Sequence, residues 1–140
     1  MSAKNPFECC LYFTAGRFFR EINALAEESF QEIGLSPSYA YILMVVDNES
    51  PIATSAVANR VGLKPSTVTR LVDKLVGKGL IQRSQEGRNV WLHKTDKLEE
   101  EMLQITACWN KLYHAYNEII GTKEATELNA ALCQANEKLE

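Results

Sequence analysis

Ser66, Thr67, Thr69, Arg70, Asp73 and Lys74 are interleaved with Val68, Leu71, Val72 and Leu75, a mixture that can read nucleic acid. Wound as a helix at about 100° per residue, the four apolar side chains share one face. Ser66, Thr69, Arg70 and Asp73 share the other, with Thr67 and Lys74 flanking it. A helix dry on one side, with hydroxyls and Arg on the other, suits a major groove. Arg pairs there with guanine edges, and Ser or Thr reaches a base or a phosphate.

The neighbouring elements must hold such a helix at the right angle. Ser55–Val61 has the pattern of a short preceding helix, with Ala56, Val57 and Val61 apolar. Gly62-Leu63-Lys64 breaks it, and Pro65 has the fixed φ that suits a first helical turn. After Gly79, Leu80–Ser84 and Asn89–His93 read as two strands, joined through Gln85-Glu86-Gly87-Arg88. That tip supplies the glycine a hairpin turn needs. A hairpin following a recognition helix predicts a winged helix-turn-helix, its basic tip aimed at an adjacent groove. The candidate DNA contacts are Ser55, Lys64, Pro65, Ser66, Thr67, Thr69, Arg70, Asp73, Lys74, Arg83 and Arg88.

An ordinary surface helix pair has the same amphipathic pattern, and charge separates the two readings. The whole chain of 140 residues is formally −3. Residues 54–97 carry nine basic and three acidic groups, whereas residues 1–53 and 98–140 are net −4 and −5. A basic middle between acidic ends is the footprint of one module meeting phosphate.

These residues resemble the MarR (multiple antibiotic resistance regulator) family of transcription factors. The resemblance rests on Leu35-Ser36-Pro37, on Pro65–Leu75, and on Lys78-Gly79-Leu80-Ile81-Gln82-Arg83. The family's wing motif is Asp, any residue, Arg, with a helix-opening Thr seven residues on; here Glu86-Gly87-Arg88 and Thr95 stand in those places. Glu replaces Asp, and the wing is about three residues shorter than the common form. The resemblance implies a mainly α fold with a small β-hairpin, winged helix-turn-helix in type, with N- and C-terminal dimerisation helices. The expected organisation is a single domain over 1–140, a DNA-binding module at 36–97, and dimerisation helices at 1–35 and 98–140. It also implies a homodimer on a pseudo-palindromic operator of double-stranded DNA, acting as a repressor released by a small ligand.

The termini independently suggest a dimer. Leu98, Met102, Ile105, Trp109, Leu112, Tyr116 and Ile119 recur every 3.5 residues on average, a seam for another helix. Thr95 or Asp96 caps that helix, Asp96 with Glu99 matching a capping box. Gly121 stops it, and Leu128, Leu132, Ala135 and Leu139 continue the apolar pattern. A helix starting near residue 8 carries Leu11, Ala15, Phe18, Ile22 and Leu25 beside Tyr12, Phe19, Ala26 and Phe30. A symmetric pair would cover both faces, as a reader of palindromic DNA requires.

Regulation leaves fainter traces. The resemblance points to a small aromatic effector, with Tyr12, Phe19, Tyr39 and Tyr41, beside Trp109 and Tyr113, as candidates to line its pocket. The alternative is redox sensing through Cys9 or Cys10, at the start of the first helix, where helix N–H groups stabilise a thiolate. Cys9 stands eight residues before Arg17, like the reactive cysteine of the family's organic-hydroperoxide regulators. A further alternative is a winged-helix module for protein–protein contact. The four cysteines show no paired spacing for zinc or a disulfide scaffold. Two histidines, no Gly-rich phosphate loop and no Ser-His-Asp set argue against an enzyme, so no catalytic residue, metal or cofactor is assigned. No apolar run approaches the ~20 residues of a membrane span, and the start is polar, which predicts a cytoplasmic protein without membrane contact.

Overall fold

A computed structural model describes residues 5–140. Met1–Lys4, part of the polar start read in the sequence, lie outside the described residues. The order is a 3-10 turn Pro6–Cys9, α1 (Leu11–Phe30), a 3-10 turn Gln31–Ile33, α2 (Pro37–Glu49), β1 (Ile52–Ala53), α3 (Thr54–Val61), α4 (Pro65–Gly77), β2 (Ile81–Glu86), β3 (Asn89–Lys94), α5 (Asp96–Ile120) and α6 (Thr122–Leu139). The chain divides into two compact units. One is Phe30–Cys108; the other joins the chain up to Ser29 with Trp109–Glu140.

In the first unit, Ile42, Leu43 and Val46 of α2 and Val57 of α3 are fully buried. Val68, Leu71, Val72 and Leu75 of α4 are at most 5% exposed, so the apolar stripe read from sequence is the buried one. Gly62 closes α3 at φ 69°, its amide donating to the Ala58 carbonyl at 3.0 Å. That left-handed residue costs a side chain strain and a glycine almost nothing, so the turn is tight.

The sheet is antiparallel in the order β1-β3-β2, with Leu92 opposite both Ile52 and Arg83. β1 is two residues long and has no sequence periodicity to announce it. It is held by the side of β3 away from the hairpin. The hairpin ladder runs to Glu86 opposite Asn89, so the loop is only Gly87-Arg88 rather than the four-residue tip predicted. Gly87 has φ 62° and, among the described residues, no non-glycine residue has positive φ, so Arg88 does not, which fits a type II′ hairpin turn. Ile81 is buried and Gln82–Asn89 are exposed, so the wing stands out from its root.

α5 is capped by Thr95. Its Oγ1 accepts from the Leu98 amide at 3.2 Å and donates to the Gly79 carbonyl at 2.7 Å. Asp96 is therefore the first helical residue, not the cap, and the Asp96–Glu99 box does not form. The same Thr hydroxyl ties the start of α5 to the chain leaving α4.

In the second unit the core is thin: Ala26, Ser29, Leu112, Asn117 and Ala125 are buried. Only Ala125 is buried on α6. The 3.5-residue seam does not lie on one surface of α5. Leu98 and Ile105 are enclosed in the first unit, while Ile119 is 70% exposed and Ile120 half-buried. A straight α-helix drifts about 20° per heptad from a 3.5 repeat, which carries the buried stripe from 119 towards 120. The first helix begins at Leu11, not near residue 8, because Pro6–Cys9 forms a separate turn. Asn5 Oδ1 caps that turn by accepting from the Phe7 amide at 3.0 Å. Among the described residues no helix is long and apolar enough to cross a membrane.

Candidate nucleic-acid interface

α4 begins at Pro65, the residue that can lose its N–H without loss of a helical hydrogen bond. Lys64 precedes it in extended conformation, and its carbonyl accepts from the Val68 amide at 3.0 Å. With Val68, Leu71, Val72 and Leu75 turned inward, Ser66, Thr69, Arg70, Asp73 and Lys74 are left exposed and Thr67 half-buried. Arg70 has no ion-pair partner among the described residues. Its guanidinium is therefore available for the bidentate pairing that reads guanine.

The other polar groups are less uniform than their spacing suggests. Thr69 donates its hydroxyl to the Pro65 carbonyl at 3.0 Å, which leaves it only acceptor capacity. Asp73 on α4 pairs with Arg83 on β2, although the two are separate candidate contacts in the sequence. That ion pair ties the recognition helix to the root of the wing. Lys74 lies 6.0 Å from the centre of the Tyr39 ring, at the outer limit of cation–π contact. Ser55 is exposed in the first turn of α3, and Arg88 is exposed at the wing tip.

The basic count of residues 54–97 overstates the field they project. Arg60 forms hydrogen bonds of 3.1–3.3 Å through Nε and Nη2 to both carboxylate oxygens of Glu49. Lys94 lies 3.0 Å from Glu99 and 4.0 Å from Asp47. The hydrogen bond to Glu99, then the charges of Glu99 and Asp47, hold the Lys94 ammonium above its ordinary pKa. The acidic partners come from the flanking segments, so folding returns some of their negative charge to the basic module. Lys64, Arg70, Lys74, Lys78, Arg88 and Lys97 remain outside carboxylate pairs among the described residues. Lys97 also donates to the Lys78 carbonyl at 2.6 Å.

The wing has a second, polar cross-strand contact that its sequence did not single out. Ser84 Oγ and His93 Nε2 are 2.8 Å apart. Thr54 donates to the Val90 carbonyl at 3.3 Å, joining the start of α3 to β3. The first contact braces the hairpin and the second binds it to the helix-turn-helix, and only side-chain positions reveal them.

The pocket candidates do not converge within either unit. On α2, Tyr39 lies near Lys74, whereas Tyr41 packs towards Phe30 with ring centres 6.4 Å apart. Residues two apart on a helix point about 200° from each other, so the two cannot line one cavity. Tyr12 and Phe19 share a face of α1 and are 81% and 64% exposed. Trp109 and Tyr113 stack at 6.2 Å on α5. Cys9 ends the first 3-10 turn and Cys10 links it to α1; both thiols are exposed. Cys9 is thus not in the first turn of α1, as the sequence suggested. The residue whose carbonyl opens that helix is Cys10, accepting from the Thr14 amide at 3.0 Å.

Residues 35–89 match the model of the MarR family. The chain is 27% identical over 125 residues to the HTH-type transcriptional repressor MdtR of Bacillus subtilis (strain 168), covering 85% of this chain and 81% of that one. Among solved structures, the PcaV transcriptional regulator of Streptomyces coelicolor, in complex with its natural ligand, superposes with a TM-score of 0.84 at 21% identity. That match covers 100% of both chains. The transcriptional repressor CouR of Rhodococcus jostii RHA1, bound to a 23-mer DNA duplex, gives a TM-score of 0.85 at 16% identity, covering 97% of this chain and 99% of that one. At these identities the two structures establish the fold.

Proposed function

Because this chain belongs to the MarR family, we propose that it is a sequence-specific DNA-binding transcriptional regulator, a repressor released by a small ligand. The observation that carries this reading is the exposed polar face of α4, with Arg70 unpaired by any described carboxylate and Arg88 at the tip of a two-residue wing turn. CouR supports the DNA half, having been solved on a duplex, and PcaV the ligand half, having been solved with its natural ligand.

The working form is a homodimer on a pseudo-palindromic operator. Leu11 (79%), Tyr12 (81%), Phe19 (64%) and Ile119 (70%) are exposed apolar groups of the unit that contains both chain ends. Leu128, Leu132 and Leu139 add an apolar edge to α6. Apolar surface on this scale is covered in a stable protein. A second copy covers it with the same surface, as two-fold symmetry demands.

The deciding experiment is fluorescence-anisotropy titration of the full chain on duplexes from its own upstream region and on scrambled duplexes, at several salt concentrations. Specific binding with a steep salt slope is the expected result. Equal, negligible binding to all duplexes would leave the winged-helix protein–protein module as the better reading.

A further inference from the structure

Arg17, Arg20 and Glu8 share one cavity of about 340 Å³, completed by Asn5, Phe7, Phe13 and Thr14, all within the second unit. We infer that this cavity is a binding site for a zwitterionic α-amino acid with an apolar side chain. Its residues belong to a different unit from those of the DNA-reading face, and the inference does not rest on that reading.

The cavity is made by the 3-10 turn folding back against α1. Thr14 Oγ1 donates to the Glu8 carbonyl at 3.3 Å, and the Phe7 and Phe13 ring centres are 5.0 Å apart. These contacts leave the two rings about half exposed, as an apolar wall without a cover. Phe13, Arg17 and Arg20 follow at intervals of four and three, so they lie on one face of the helix.

Neither arginine has a carboxylate partner among the described residues, and Glu8 has no cationic one. Charges of both signs thus border one small space without closing on each other. A lone anion would meet Glu8, and a lone cation would meet two guanidiniums. A ligand carrying both signs satisfies all three: its carboxylate between Arg17 and Arg20, its ammonium on Glu8, its side chain on the phenyl rings. The volume lies at the lower end of small-ligand pockets, the size such a molecule needs.

Gly16 offers a position from which the site can be tested. It sits inside α1 with ordinary helical φ, where glycine weakens a helix and nothing in the backbone demands it. A Cβ built there would lie 3.6 Å from Arg20 Nη1. That is an ordinary contact distance, so an alanine would fit beside the Arg20 guanidinium, whereas a longer side chain such as leucine would displace it from the cavity face.

Calorimetric titration of L-phenylalanine into the full-length protein tests the site. Saturable binding, one per chain, is expected. 3-Phenylpropanoate, lacking the ammonium, and phenethylamine, lacking the carboxylate, should each bind at least about tenfold more weakly. Arg17→Gln should weaken L-phenylalanine by a similar factor, and Glu8→Gln should erase its preference over 3-phenylpropanoate. Gly16→Leu should abolish binding while circular dichroism shows helix content unchanged or higher, which separates loss of the site from loss of the fold. No measurable binding of L-phenylalanine, or equal binding of 3-phenylpropanoate by the unaltered protein, overturns the inference.

Discussion

The Asp73 carboxylate on α4 holds the Arg83 guanidinium on β2. Helix and wing approach DNA as separate elements, and this ion pair makes the position of one depend on the other. Both groups are partly solvent-exposed, 58% and 36% by side chain, so the pair adds little to stability. Exposed pairs contribute about 0.2–1 kcal/mol. Its larger consequence is for orientation: without Asp73, Arg83 has no fixed direction.

Asp73→Ala and Arg83→Ala should therefore be strongly non-additive for DNA affinity. The double mutant is expected to bind about as weakly as the worse single mutant, with a coupling of roughly 0.5–3 kcal/mol. Thermal melts should move by only a few degrees. Full additivity across the double-mutant cycle would show two independent contacts and remove the positioning role.

Arg70→Ala should relax discrimination. A bidentate base contact is worth about 1–3 kcal/mol against the wrong base, so the affinity ratio between operator and scrambled duplex should fall by that amount. Arg70 is exposed and unpaired by any described carboxylate, so folding should be unaffected. A parallel loss on both duplexes would reassign Arg70 to the phosphate backbone.

Arg88→Ala should act in the opposite manner. At the tip of a two-residue turn it is expected to weaken all duplexes alike. The slope of log K against log salt should become shallower by about 0.9, one phosphate contact. An unchanged slope would mean that the wing does not reach DNA.

Ile119→Glu distinguishes a dimer from a monomer without disturbing a buried position. In an isolated chain Ile119 is 70% exposed, and a charge there costs little. In a homodimer joined by the terminal helices the charge is buried without a partner, so sedimentation should show dissociation and the melting point should become concentration-dependent. A monodisperse monomer of the unaltered chain at micromolar concentration would refute the dimer.

Organic hydroperoxide is expected to leave DNA binding unchanged. Cys9 ends a four-residue 3-10 turn rather than opening α1, which removes the helix-terminus argument for Cys9 and leaves Cys10 as the thiol at the start of α1. Release by peroxide in the unaltered protein, lost in Cys9→Ala or Cys10→Ala, would place regulation at the thiols instead.

Local pattern was enough for most of the reading head. Val68, Leu71, Val72 and Leu75 recur with the helical period, and burying them leaves Ser66, Thr69 and Arg70 outside whatever else the chain does. Pro65 and Gly62 mark the turn because their allowed φ values do so in any context. The mainly helical, winged fold followed from the same local rules. Tertiary structure decided what depends on distance in space. β1 exists because β3 offers an unpaired edge, and two residues carry no period of their own. Asp73 and Arg83, ten residues apart, read as two contacts until the hairpin folds against α4. The apparent charge of residues 54–97 fell because Glu49, Asp47 and Glu99 come from outside that stretch and fold back. The even 3.5-residue seam of α5 divided because a real helix turns at 3.6 residues, and Leu98 and Ile105 found a core in their own chain.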